Sequence, residues 1–364
     1  MNQNSGFWNS GGTDDGSKNP AFEDNATALA LSEARRVYST LGFGYAIYAA
    51  VSLIAALIIQ VVVLLVSPGL IENTLFLNIL SPVSLYLFAL PALILVLVLF
   101  CIKGETPEKR KLGLGAWTLI LLVSFGLMYI GSFMGQGVMW GVSQIVGYDY
   151  SNILESVIDY DNMWITVIFM CVIAPIGEEL VFRKLIIDRT HKYGGLVSVL
   201  VSGLIFGLMH ANFYQFFYAF ALGLVLGYVY YGTGRIWYTI ALHATINFIG
   251  SVVTAYLDLG LTQMSEAFES LNAENAEELI AFAYKYGLII VAEYAFLAFV
   301  IVSIICSVVL PIVFRKKINL ERSELLAPPK KMLAAAFLNV GVIVMLVVYV
   351  IQFALNLIPP NIGQ

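Results

Sequence analysis

Charge is what this sequence has least of. Lys, Arg, Asp and Glu together make up 12% of 364 residues, against 60% hydrophobic, where a soluble domain carries about a quarter charged and about half apolar residues. A water-soluble chain of this size cannot hide so much apolar surface, so a soluble protein is excluded and one integral membrane domain is implied. A net charge of −5, with no basic patch interleaved with aromatics, excludes a nucleic-acid-binding surface. Cysteine is scarce as well: Cys101, Cys171 and Cys306 lie far apart inside apolar runs. They have no zinc-ligand spacing, make poor material for disulfides and read as small packing residues. Only three histidines are present. His-Glu-x-x-His, Gly-x-Ser-Gly and Gly-x-Gly-Asp do not occur, which disfavours the membrane-protease chemistries those motifs carry.

What is abundant is the long apolar run. A span needs roughly 20 mostly apolar residues, and nine are expected, near 41–66, 76–102, 116–140, 163–187, 194–213, 214–231, 235–257, 287–314 and 332–357. The fold class is therefore all-α, a polytopic transmembrane helix bundle. Residues 1–37 are expected as a disordered cytoplasmic tail, 38–358 as the membrane domain and 359–364 as a short C-terminal tail. The tail lacks the basic start and short apolar core of a secretion signal, so no cleavage is expected. Of 19 Lys and Arg, all but Lys285 fall in the tail or in alternate loops, and the intervening loops are acidic. The positive-inside rule then puts the N-terminus in the cytoplasm and the C-terminus outside, in what composition suggests is a bacterial plasma membrane. The acidic stretch 258–286 has helical spacing and is expected as one or two helices lying on the outer surface. Two pairs of glycines, Gly203/Gly207 and Gly223/Gly227, allow close helix packing in consecutive spans.

Ionisable groups inside a bilayer are costly and are functional candidates by default. Here they cluster. Span four carries Pro175-Ile-Gly177-Glu178-Glu179-Leu-Val-Phe182-Arg183, span five ends Phe206-Gly-Leu-Met-His210, and span seven carries His243-Ala-Thr-Ile-Asn247. Glu179 and Arg183 are four apart with the acid first, the favoured order for an ion pair on one helix face. Glu178 faces elsewhere and is free for chemistry. Pro175 cannot donate to the carbonyl of Cys171, so a kink is expected there, with Gly177 leaving room beside Glu178. His243 and Asn247 share a face, and Phe206 lies one turn before His210 as a candidate wall. Depth fits poorly: at ~1.5 Å per residue, His243 lies ~12 Å into its span and His210 ~24 Å, so span five must tilt or start deep. Glu293, alone in span eight, is expected to line an outer vestibule.

These three motifs together resemble the CPBP family of intramembrane proteases, also called the Abi or CAAX-protease family, over about residues 163–250. The resemblance implies an endopeptidase acting on a membrane-associated peptide, with a site built from spans four, five and seven. It implies Glu178 as general base with His210 activating the hydrolytic water, His243 and Asn247 stabilising the oxyanion, and Glu179 and Arg183 in support. The residue chemistry suits those roles: a carboxylate moves protons, and a ring N–H beside an amide offers two donors to an oxyanion. The same residues admit a metal version, in which Glu178, His210 and His243 hold one Zn²⁺ with an open water position. The reading favours a metal-free water, because Asn247 is a poor zinc ligand and Arg183 is expected to occupy Glu179. Two other functions compete: a non-catalytic immunity or scaffold protein on the same fold, and a proton-coupled transporter. The second is disfavoured because the polar residues crowd one region and form no path across the membrane.

Overall fold

The computed structural model describes residues 20–316, apart from 72, 151–157, 159, 161 and 272–274, together with 318, 320 and 327–359. Runs of Leu, Ile, Val and Ala with few charges satisfy their backbone within helices, the arrangement a bilayer demands of an open chain. The described residues are helical and contain no strand. We number the helices α1 (Pro20–Val66), α2 (Leu75–Leu99), α3 (Leu114–Val146), α4 (Met163–Tyr193) and α5 (Gly195–Leu208). The rest are α6 (Phe213–Thr233), α7 (Ile236–Glu269), α8 (Ala276–Val313), α9 (Pro329–Phe337) and α10 (Val340–Asn356).

Four expectations change. The count of nine is not confirmed: among the described residues seven helices are long and apolar enough to span, or up to eight if α9 and α10, bent by 56°, form one span. The expected span 194–213 is α5, only 14 residues, about 21 Å, and short because the chain turns back straight after His210. The N-terminal tail is shorter than expected, since α1 already begins at Pro20. The Ala- and Leu-rich run 26–34 favours helix, and Ala30, Ala34, Val37 and Tyr38 are buried by packing. Residues 1–19 and 360–364 of the expected tails lie outside the described residues. The acidic stretch 258–286 does not form separate surface helices. It continues α7 to Glu269 and starts α8 at Ala276, and the two extensions meet at Phe268 and Phe282, ring centroids 6.0 Å apart.

Two packed cores position the site. One joins α1, α2, α4, α5, α9 and α10 around Tyr38, Tyr45, Leu93, Phe182, Phe206 and Met345. The other joins α3, α6, α7 and α8 around Phe125, Leu226, Leu242 and Ile246. Small residues let the backbones close up, as expected for α5 and α6: a Cβ on Gly223 would lie 2.8 Å from the Cα of Gly203. At the α9–α10 break, Asn339 donates to the carbonyls of Ala335 and Ala336 and accepts from the N–H of Val342. That satisfies groups the bend would otherwise strand in an apolar medium.

Candidate active site

The acids stand mid-way along α4, where the helix widens twice into π-helical turns, Val167–Ile173 and Glu179–Lys184. Such turns concentrate at functional sites. Their loosened carbonyls are taken up by side chains from other helices. Tyr45 donates to Val181 O at 2.5 Å, Ser202 to Phe182 O at 2.7 Å, and Asn247 to Met170 O at 2.7 Å. The last bond ties α7 to α4 beside the catalytic candidates.

Glu179 and Arg183 are fully buried and paired, with Arg183 Nε 3.3 Å from Glu179 Oε2. The contact is ionic, off the line of a hydrogen bond, and both terminal guanidinium nitrogens lack a protein partner. The Phe206 ring completes the cation's surroundings, its centroid 4.1 Å from Arg183 Cζ. Face-on contact with an aromatic ring is favourable for a guanidinium in low dielectric. Glu179 also does something the sequence did not suggest. Its Oε1 lies 2.9 Å from His243 Nδ1, so the carboxylate accepts the Nδ1 proton and fixes the ring. Arg183 therefore does not occupy Glu179 fully; the acid holds Arg183 on one oxygen and His243 on the other.

That bond turns His243 Nε2 toward Glu178, 3.6 Å from its Oε2. The gap is too long for a hydrogen bond, and Glu178 keeps a 14% exposed side chain while Glu179 has none. His210 follows α5 in a turn whose next residue, Ala211, has φ +52°, a left-handed conformation that costs a Cβ-bearing residue about 1–2 kcal/mol. The turn is pinned on both sides: Asn212 donates to His210 O at 2.8 Å and Asn356 of α10 donates to Ala211 O at 2.9 Å. His210 Nδ1 donates to Phe206 O at 2.9 Å, leaving the other ring nitrogen for the site. The Phe206 ring stands between the two imidazoles, 5.2 Å from His210 and 5.7 Å from His243, edge-on to both. The three motifs thus converge despite the depth mismatch, with Phe206 as their common wall.

Glu178, His210, His243 and Asn247 all line one cavity of about 990 Å³, at the top of the range for small-molecule pockets, roughly 300–1,000 Å³. Glu293 does not line it. Gly177 does not leave open room: the Tyr86 ring of α2 fills the space where its Cβ would stand, and Tyr86 also lines the cavity. Tyr86 is the site residue that sequence reasoning missed. A tyrosine in an aliphatic span was its only signal, and nothing in the spacing linked it to Gly177. Asn247 reaches the cavity with one amide N–H engaged by Met170 O, so a single N–H remains for a ligand.

Among the described residues, no three His, Cys, Asp or Glu side chains form a group that could hold a metal ion. Glu178, His210 and His243 line the same cavity but do not stand as a ligand set, so no step is derived through zinc.

Residues 160–249 match the family model described as Type II CAAX prenyl endopeptidase Rce1-like. The matched segment is about a quarter of the chain and contains all three motifs. It bears out the resemblance to the CPBP/CAAX protease family and supports an enzyme of the protease class in a membrane setting. No curated protein and no solved structure matches the chain.

Proposed function

We propose that this protein is an intramembrane endopeptidase that hydrolyses a peptide bond in a membrane-associated substrate, using Glu178 and His210 to activate water. The observation that carries the reading is the Glu179–His243–Glu178 line-up: a buried carboxylate orients an imidazole, which then faces a second, more accessible carboxylate across 3.6 Å. Packing alone gives no reason for two acids to flank one histidine in an apolar core.

In this mechanism a water lies between Glu178 and the free ring nitrogen of His210. Glu178 takes its proton as the water oxygen attacks the substrate carbonyl, and the C=O becomes a tetrahedral oxyanion. His243, when its Nε2 carries a proton, donates to that oxyanion, with the remaining Asn247 N–H as second donor. Glu178 then returns the proton to the departing amine as the C–N bond breaks. Glu179 and Arg183 act through His243 and Phe206 and do not touch the substrate. No obligatory metal is required.

The test uses purified protein and a membrane-peptide digest compared by mass spectrometry. Glu178→Gln keeps the volume but cannot accept the proton, and cleavage is expected to fall about 10²–10⁴-fold with unchanged detergent-phase stability. Near-normal cleavage by Glu178→Gln would show that the general base lies elsewhere. Loss of every cleavage product with wild-type protein would favour the immunity or scaffold reading.

A further inference from the structure

The cavity lining, among the described residues, keeps to one side of the sequence's charge pattern. On each helix that lines it, the lining residues belong to the part remote from the basic loops. On α1 they run from Tyr48 to Gln60, well past Arg35 and Arg36; on α3 from Met128 to Met139, past Lys109–Lys111; on α10 from Tyr349 onward, past Lys330 and Lys331. On α6 they are Phe213–Leu222, the end away from Arg235, and on α4 they stop at Glu178, before Lys184.

The basic side is closed. Asp188, near the end of α4, is buried and accepts from Lys184 at 2.9 Å and from Tyr230 at 2.7 Å, while its backbone carbonyl accepts from Glu105 N. Arg189 donates to Ile102 O, and Arg110 N to Thr233 O. Gly234, with φ +56°, is packed so tightly under Pro107 and Glu108 that a Cβ there would strike their carbonyls. The loop 102–111 is thus sewn onto the ends of α4 and α6, and the fully buried Phe182 and Arg183 lie between that face and Glu178.

The lining is largely apolar, and its polar groups are mostly uncharged. Among the described residues it contains no Lys, Arg or Asp, and Glu178 is its one carboxylate; the other polar groups are histidines and the hydroxyls and amides of Ser, Tyr, Asn and Gln. Such a wall hydrogen-bonds peptide groups and, among the described residues, offers no lysine or arginine to a terminal carboxylate. From Met163 to Glu178 the helix rises ~22 Å, a depth that about seven extended residues traverse at ~3.3 Å each.

We infer that the cavity admits an extended, uncharged polypeptide segment of about seven residues from the face opposite the basic loops, which the positive-inside rule makes the outer face. The inference rests on the proteolytic reading for its chemistry, and it directs the enzyme to an internal bond of an outer-face or outer-leaflet substrate. Proteins confined to the cytoplasm would meet the closed side.

Cysteine accessibility tests access without requiring catalysis. In a background with Cys101, Cys171 and Cys306 changed to Ala, single cysteines are placed at Gln60 and Gln352 in the cavity lining, and at Lys109. Each variant is reacted with a membrane-impermeant maleimide in intact cells and in inverted vesicles; Ser132→Cys replaces either cavity position that fails to accumulate. Gln60→Cys and Gln352→Cys are expected to react at least tenfold faster in intact cells, and Lys109→Cys at least tenfold faster in inverted vesicles. Cavity cysteines that react only in inverted vesicles would overturn the inference. A library of end-capped, uncharged heptapeptides added outside is expected to slow Gln352→Cys labelling at least fivefold more than a Lys- and Asp-containing library. Equal protection by both, or by neither, would overturn the assigned occupant. Outer labelling with selective protection but no cleavage by wild-type protein would leave this inference standing and sink the proteolytic one.

Discussion

Glu178 and Glu179 are neighbours in sequence with opposite fates in space. One keeps access to a cavity; the other is sealed between Arg183 and His243. Removing the charge of Glu179 leaves a guanidinium buried without its counterion and a histidine without its orienting acceptor. Glu179→Gln is therefore expected to destabilise the protein by about 3–5 kcal/mol, read as a lower unfolding temperature in detergent, whereas Glu178→Gln moves that temperature little. Equal effects of the two substitutions would contradict the division of labour. The metal prediction belongs to the same scale. Activity is expected to survive exhaustive 1,10-phenanthroline, with far less than one zinc per chain by elemental analysis. One zinc per chain, with activity lost on chelation and restored by zinc, would make Glu178, His210 and His243 its ligands.

At the scale of elements, the site depends on a short helix held in a fixed place. α5 ends at Leu208, and the Met209–Asn212 turn behind it carries His210. Because Ala211 sits at φ +52°, Ala211→Gly is expected to be tolerated or slightly stabilising, with activity kept. Asn356→Ala removes the bond that α10 makes to Ala211 O, and it is expected to lower kcat severalfold while leaving the fold intact. The α5–α6 crossing makes the stronger prediction. Gly223→Leu must push against the Gly203 backbone and the Phe206 ring, and overpacking of this kind costs about 1–3 kcal/mol. Its displacement of Phe206 separates His210 from His243, so cleavage should fall further than stability does. A Gly223→Leu protein with full activity would show that this crossing does not position the site.

The whole molecule is a two-faced object. Among the described residues, basic segments are bonded to their neighbours on one side: Lys192 pairs with Glu33 at 2.8 Å, and Arg110 N reaches Thr233 O. On the other side Tyr150 donates to Leu357 O, and Tyr214 to Tyr150 O. Alkaline phosphatase is active only outside the cytoplasm, so fusions report the orientation. A fusion after Lys111 is expected to be silent and one after Glu269 active. The reverse pattern would invert the molecule and place the cavity mouth in the cytoplasm.

Composition alone determined that the chain is a membrane-embedded helical bundle, because 60% apolar residues with so few charges have no stable alternative in water. Loop charges determined which connections share a face, since that bias is carried residue by residue and needs no folding to read. The three motifs were legible because ionisable groups in apolar runs stand out, and the i,i+4 spacing of Glu179 and Arg183 specified their pairing. Tertiary structure decided the rest. It decided that α5 is only 14 residues long, because hydropathy is blind to where a chain turns back. It decided that α7 and α8 extend past the expected membrane boundary, because helical spacing does not reveal what direction a helix takes. The bond from His243 to Glu179 joins residues 64 apart in the chain, and Tyr86 fills the space at Gly177 from another helix. Those contacts depend on how separate helices are rotated and set against one another, which packing of the assembled bundle fixes and no local pattern encodes.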